Sequence, residues 1–133
     1  MIIGIGTDIV KVARIEAAIA RHGVAFAERI LSPDELPEYA THSYPARFLS
    51  KRCAAKEAFA KATGHGLRHP VSLQRITVSH NELGKPALLF DTELSAYLQR
   101  LGVSNHHLSI SDERDTAVAF VILEGNAEWS WGR

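Results

Sequence analysis

The sequence predicts an α+β fold, and three observations carry that reading. The chain opens on β-branched residues interleaved with glycine: Ile2, Ile3, Ile5, Ile9 and Val10 around Gly4 and Gly6. A long segment between Pro45 and Gly64 repeats apolar residues at helical spacing, and two turn signals, at residues 81–86 and 113–115, each join strand-like runs. Helices precede hairpins rather than alternating strictly with parallel strands, which favours α+β over a doubly wound sheet. The 133 residues fit a single compact domain, a long central helix packed on antiparallel hairpins, over residues 1–125, with residues 126–133 as a C-terminal tail.

The first strand ends near Asp8, and its glycines mark close backbone approach to a neighbour. From Val12 to Gly23 the pattern turns helical, with Val12, Ile15, Ile19 and the alanines on one side and Gly23 as the C-cap. On that helix Lys11, Arg14 and Arg21 fall within about 80° of one another at 100° per residue. This basic stripe is either a solvated face or a docking surface. Residues 25–31 add a further helical turn or two. Ser32, Pro33, Asp34 and Glu35 then read as N-cap, N1 proline and capping-box glutamate of a short helix, followed by a polar stretch over residues 39–44.

Pro45 introduces the central helix, residues 46–63, which Gly64 closes; Phe48, Ala55, Phe59 and Ala62 form its apolar stripe, widened by Leu49 and Cys53. Residues 64–67 are a flexible connection and residues 72–79 a strand. Gly84 takes positive φ in a turn, residues 87–90 continue as the hairpin partner, and residues 92–101 are a helix ended by Gly102. A second hairpin joins residues 107–112 to the apolar run 116–123. Trp129 and Trp131, in the tail, either fray or dock on a neighbouring subunit.

Composition excludes whole classes of function. With 46% hydrophobic and 23% charged residues the chain builds a core and is too apolar for disorder. Fifteen basic and fifteen acidic side chains cancel, so the global field indicates no nucleic-acid or membrane partner, and electrostatic recognition must come from local patches. No apolar run approaches the roughly 20 residues that span a bilayer. The single Cys53 cannot form an internal disulfide and the N-terminal stretch lacks a basic leader, so a cytoplasmic location is expected.

Two carboxylates stand out. Asp8, at the end of an apolar strand, either caps the following helix or binds an ion. Glu57 is the one acid among Arg47, Lys51, Arg52, Lys56 and Lys61, a pattern that steers an anionic ligand and reserves the carboxylate for a metal or a proton. The alternative is an i,i+4 pair with Lys61 on a solvated face, worth about 0.2–0.5 kcal/mol. Two carboxylates, a basic helix and a loop bearing Gly64 and Gly66 are the parts needed for magnesium-assisted phosphoryl chemistry. A Walker-type phosphate loop is absent, the seven histidines lack zinc spacing, and no G-x-S-x-G elbow accompanies Ser109 or Ser111. Cys53, on the apolar side of its helix, reads as a structural thiol.

Four segments together carry a family resemblance: Gly4-Ile-Gly-Thr-Asp8-Ile-Val; Arg47-Phe48 through Lys51-Arg52 to Ala55-Lys56-Glu57-Ala58-Phe59-Ala-Lys61-Ala; Gly84-Lys85-Pro86; and His107-Leu-Ser-Ile-Ser. In order and spacing, from Met1 to about Gly125, the chain resembles the bacterial holo-acyl-carrier-protein synthases, the short 4'-phosphopantetheinyl transferases. The resemblance implies that family's fold and a magnesium-dependent transfer, manganese being an alternative ion. The phosphopantetheine arm of coenzyme A would pass to a serine of apo acyl carrier protein, releasing 3',5'-ADP, in fatty acid biosynthesis. By the same resemblance Asp8 and Glu57 are the metal ligands and, with Lys61 near the diphosphate, the catalytic set. Arg52, Lys61, Gly64, Gly84, Lys85, Pro86, His107 and Ser109 line the coenzyme A cleft, and Lys11, Arg14 and Arg21 dock the acidic carrier protein. A homotrimer with active sites between subunits is implied as well.

One departure bears on mechanism. Many relatives place a histidine after the S-I-S-like strand, where this chain has Asp112, Glu113, Arg114 and Asp115. Removal of the serine proton therefore falls to Glu57, directly or through water, with Asp112 a weaker alternative. Two rival readings are a coenzyme A or nucleotide-sensing module without chemistry, and an interaction domain whose basic stripe binds some other acidic protein.

Overall fold

The computed structural model describes residues 1–126. In chain order these form β1 (Ile2–Lys11), α1 (Val12–His22), α2 (Val24–Ile30), α3 (Leu36–Thr41), α4 (Pro45–Thr63), a 3₁₀ turn (Leu73–Arg75), β2 (Ile76–His80), β3 (Pro86–Phe90), α5 (Thr92–Leu101), β4 (Val103–Asp112) and β5 (Thr116–Gly125). The expectations for Trp129 and Trp131 fall outside the described residues.

β5 lies between β1 and β4, antiparallel to both, and β2 and β3 pair as a separate antiparallel hairpin. The α+β architecture read from the sequence is the one observed. Period-2 alternation in β5 turns Ala117, Ala119, Val121 and Leu123 inward against α4, all buried. Phe59 of α4 completes this layer and stacks on Phe90 of β3 with ring centroids 4.9 Å apart. A second cluster under α1 and α2 gathers Ile15, Ala27, Ile30 and Leu31 against Phe48 and Leu49 of α4.

β1 crosses α4 almost at backbone contact. A Cβ on Gly4 would stand 1.9 Å from the Ala62 carbonyl oxygen, and one on Gly6 2.0 Å from that of Ala58. The two glycines therefore mark the helix–strand crossing, the close approach expected of them.

Local signals place α4 within a residue of its prediction. Pro45 occupies the first turn, and Gly64 closes the helix in the left-handed region at φ 74°. Four elements differ, β4 among them, which begins at Val103 and not at His107. β1 does not stop near Asp8 but pairs with β5 as far as Lys11 opposite Thr116, because the partner strand, not the local sequence, sets its length. Lys11 consequently ends a strand and does not belong to α1, so the basic stripe on the helix itself reduces to Arg14 and Arg21. Residues 73–75 form a 3₁₀ turn before the strand, and Tyr39 lies within α3.

The Ser32–Glu35 capping box forms only in part. Glu35 Oε1 accepts from the Ser32 N–H at 2.9 Å, as the motif requires, but Ser32 Oγ bonds Thr77 Oγ1 at 2.6 Å. α3 then begins at Leu36, one residue beyond the glutamate.

Candidate active site

The Gly6 crossing decides where Asp8 goes. Two residues farther along the extended strand its side chain emerges beside the α4 face that carries Glu57 and Lys61, which lie one turn apart at i,i+4. Lys61 Nζ donates to Asp8 Oδ1 at 3.0 Å and to the Thr7 carbonyl at 3.0 Å. Asp8 does not cap α1, whose N-cap is Lys11 without a side-chain bond; it is an ion-paired carboxylate, 17% exposed, in mid-strand. The Lys61 ammonium is committed to Asp8 and not to a surface pair with Glu57.

Glu57 is half-buried, and its carboxyl is pushed up, first by burial and then by the Asp8 charge, with Lys61 opposing. The Asp8 contribution to that rise places the two acids within electrostatic reach of each other. A divalent cation would relieve it, so the donor set fits an ion taking two carboxylates and completing its shell with substrate and water oxygens. Among the described residues no group of three or more His, Cys, Asp or Glu side chains is arranged to hold a metal ion, so Asp8 and Glu57 stand as a pair.

Beside the pair lies a depression lined by Asp8, Val10, Arg14, Ile15, Ala18, Phe26, Cys53 and Glu57. Its apolar lining comes from β1, α1 and α2, and the two acids, Arg14 and Cys53 complete it. Cys53 faces this depression half-buried; burial, then Glu57 and Asp8, push its thiol up to about 11, which keeps it protonated and inert near neutral pH. A larger groove, between α1 and residues 43–47, holds neither carboxylate.

The remaining site residues occupy other elements. Arg52 lies on a different side of α4, buried, its guanidinium carbon 4.0 Å from the centre of the Phe48 ring. Its Nε lies 3.1 Å from Glu35 Oε2 without the alignment of a hydrogen bond, and its Nη2 is 3.4 Å from Glu38 Oε1. Gly64 caps α4 at one end of the Lys61 face. Gly84 takes φ 85° in the β2–β3 turn, where Asn81 Oδ1 accepts from the N–H groups of Leu83 and Lys85, and Pro86 opens β3. His107 and Ser109 point outward from β4, and His107 Nε2 meets Glu124 Oε1 at 2.5 Å.

The cation count on α4 needs correction. Lys56 is fully buried and turned inward: its Nζ bonds Glu35 Oε1 at 2.5 Å and the Ile30 carbonyl at 2.8 Å. Arg47 pairs with Asp112 at 3.5 Å. Sequence reasoning missed Glu35 and Lys56 as partners because they are 21 positions apart and the local motif explained Glu35 on its own. His106 was also missed; its Nε2 accepts the Leu88 N–H at 2.9 Å and ties β4 to β3.

β1 crosses α4 with Asp8, Glu57 and Lys61 gathered beside the crossing. Over residues 4–121 the sequence matches the 4'-phosphopantetheinyl transferase superfamily, and the chain belongs to that family. It is 56% identical over 124 residues to the holo-[acyl-carrier-protein] synthase of Nitrosospira multiformis, covering 93% of this chain and 99% of that protein. Among solved structures it is similar to that of the synthase from Neisseria meningitidis, at 50% identity and a TM-score of 0.91 over 93% of this chain and 99% of the other. The Bacillus anthracis synthase, solved in complex with CoA (3',5'-ADP), aligns at 38% identity and a TM-score of 0.78 over 95% of this chain and 99% of the other.

Proposed function

We propose that this protein is a holo-[acyl-carrier-protein] synthase, moving the phosphopantetheine arm of coenzyme A to a serine of apo acyl carrier protein. The observation that carries this reading is the Asp8–Lys61 pair beside the raised Glu57, in a chain whose relatives bear that name and whose structural neighbours include a coenzyme A complex.

In the transfer the serine oxygen attacks the β-phosphorus of coenzyme A, the bond from that phosphorus to the 3',5'-ADP oxygen breaks, and the serine proton must leave. Glu57, the half-buried carboxylate beside Asp8, takes it directly or through a water. Lys61, with an exposed side chain, neutralises Asp8 in the free enzyme and faces the diphosphate when substrate arrives. Asp8 and Glu57 would hold a magnesium ion, or manganese; when bound, that ion supplies charge neutralisation for the diphosphate. Arg14 borders the apolar depression next to the two acids and Arg21 lies two turns along the same helix, a disposition suited to an acidic carrier protein.

The same reading includes a homotrimer. The outer face of the three-stranded sheet exposes Ile5 (59%), Ile9 (67%) and Phe120 (41%), and His107 and Ser109 share that face. A contiguous apolar surface of this kind calls for cover, and a neighbouring copy placed there would bring its own cleft to His107 and Ser109. Among the described residues no helix is long and apolar enough to cross a membrane.

The test is substitution of the two acids. Asp8→Ala and Glu57→Ala each abolish transfer to apo carrier protein while circular dichroism stays that of the wild type. Wild-type turnover in either variant would overturn the assignment.

A further inference from the structure

Apart from the Asp8–Glu57 site, the most heavily committed side chain in the described residues is Glu35. It is 2% exposed and uses both oxygens: Oε1 accepts from the Ser32 N–H at 2.9 Å and from Lys56 Nζ at 2.5 Å, and Oε2 accepts from the Val78 N–H at 2.9 Å and lies 3.1 Å from Arg52 Nε. One carboxylate thereby fastens the loop before α3 to two successive turns of α4 and to β2. A capping glutamate has no need of Val78 or Arg52, so the local motif does not account for this arrangement.

The charges inside do not balance. Arg52 and Lys56 bring two cations to one buried acid; the outer edge of Arg52 finds only Glu38, on the surface at 3.4 Å. His80, at the end of β2, is pushed down first by burial and next by the charge of Arg52. Arg52 is thus fixed from inside by Glu35 and beneath by Phe48, and the same Glu35 carboxylate holds β2, the strand that leads into Gly84, Lys85 and Pro86. A guanidinium held in one orientation, its outer edge paired only with an exposed glutamate, is a preorganised partner for an anionic ligand.

We propose that Glu35 is a positioning residue for coenzyme A: its carboxylate sets the orientation of Arg52 and locks the β2–β3 hairpin to α4, so that both halves of the binding cleft are presented together. The proposal rests on the reading of Arg52 and the Gly84, Lys85, Pro86 turn as coenzyme A contacts. Glu35 itself touches no substrate.

Because removing Glu35 alone strands two buried cations, the test uses the charge-balanced pair Glu35→Gln/Lys56→Met, and calorimetry measures coenzyme A binding to it, to Arg52→Ala and to the triple variant. Arg52→Ala weakens binding about tenfold or more, the paired variant weakens it comparably, and the triple variant is no weaker than Arg52→Ala. In turnover the paired variant raises KM for coenzyme A by a larger factor than it lowers kcat and leaves KM for the carrier protein within about twofold; a merely structural role would lower apparent kcat through loss of folded enzyme and leave both KM values unchanged. Wild-type binding by Arg52→Ala overturns the placement of coenzyme A and the proposal with it. Weak binding by Arg52→Ala with wild-type binding by the paired variant, or losses that multiply in the triple variant, overturns the proposal alone. If the paired variant does not fold, Glu35→Asp keeps the charge and shortens the reach by one methylene: weakened coenzyme A binding supports the proposal and unchanged binding overturns it.

Discussion

Gly6 rests against the carbonyl oxygen of Ala58, so that a β-carbon at position 6 would fall 2.0 Å from it and 2.7 Å from the Ala62 nitrogen. Both obstacles are backbone atoms of α4 and cannot swing aside. Gly6→Ala must push β1 off the helix, and overpacking of this kind costs about 3 kcal/mol, the upper end of its usual range. The expected result is a lowered melting temperature together with a loss of transfer activity greater than the loss of folded protein, because Asp8 retreats from Glu57. An alanine variant with wild-type activity and melting temperature would show that the crossing does not set the site.

His106 gives the junction of β3 and β4 a pH dependence. Its Nε2 accepts the Leu88 N–H, so that nitrogen must be unprotonated, and burial followed by the neighbouring His107 charge pushes the imidazole down from its ordinary value. The unfolded chain binds the proton more readily than the folded one, so stability is full above the ordinary histidine range and is lost as pH falls through it toward the lowered folded value. His106→Gln retains an acceptor without a titrating group. Thermal melts between pH 7.5 and 5 are expected to fall more steeply for the wild type than for this variant; parallel slopes would contradict the linkage.

Phe120 is the exposed aromatic residue at the middle of the sheet's outer face, opposite Thr7 on one side and Ser109 on the other. Under the proposed assembly, Phe120→Glu places a carboxylate in an apolar interface and sedimentation velocity shows monomer where the wild type shows trimer. The same variant then loses coenzyme A affinity if His107 and Ser109 serve a neighbour's cleft. A wild-type protein sedimenting as a monomer would refute the assembly.

Arg14 and Arg21 project from α1 on exposed positions that the core does not use. Charge reversal, Arg14→Glu or Arg21→Glu, is expected to raise KM for the carrier protein severalfold, more at low salt than at high, and to spare coenzyme A affinity. Equal loss of both affinities would point to misfolding instead of docking.

How much of this was readable beforehand depends on the range of the forces involved. α4 and α5 were legible almost to the residue because Pro45, Gly64 and Gly102 act on their own backbone. The β2–β3 turn followed from Gly84 for the same reason. The length of β1 was not legible, since Lys11 remains in the strand only through its pairing with Thr116. Nor was the inward turn of Lys56: α4 is buried on nearly every side, so its apolar stripe underreports what the rest of the fold covers. Asp8, Glu57 and Lys61 were each visible as residues, and their meeting depended on the Gly4 and Gly6 crossing, whose glycines signalled close approach without naming the partner.

The central claim is tested most directly by mixing the protein with coenzyme A, apo acyl carrier protein and magnesium and weighing the carrier protein by mass spectrometry. The expected result is a gain of one phosphopantetheine arm, abolished when a chelator removes the metal and restored by magnesium or manganese. A carrier protein of unchanged mass with every divalent ion tried, from an enzyme that is folded and binds coenzyme A, would contradict the account.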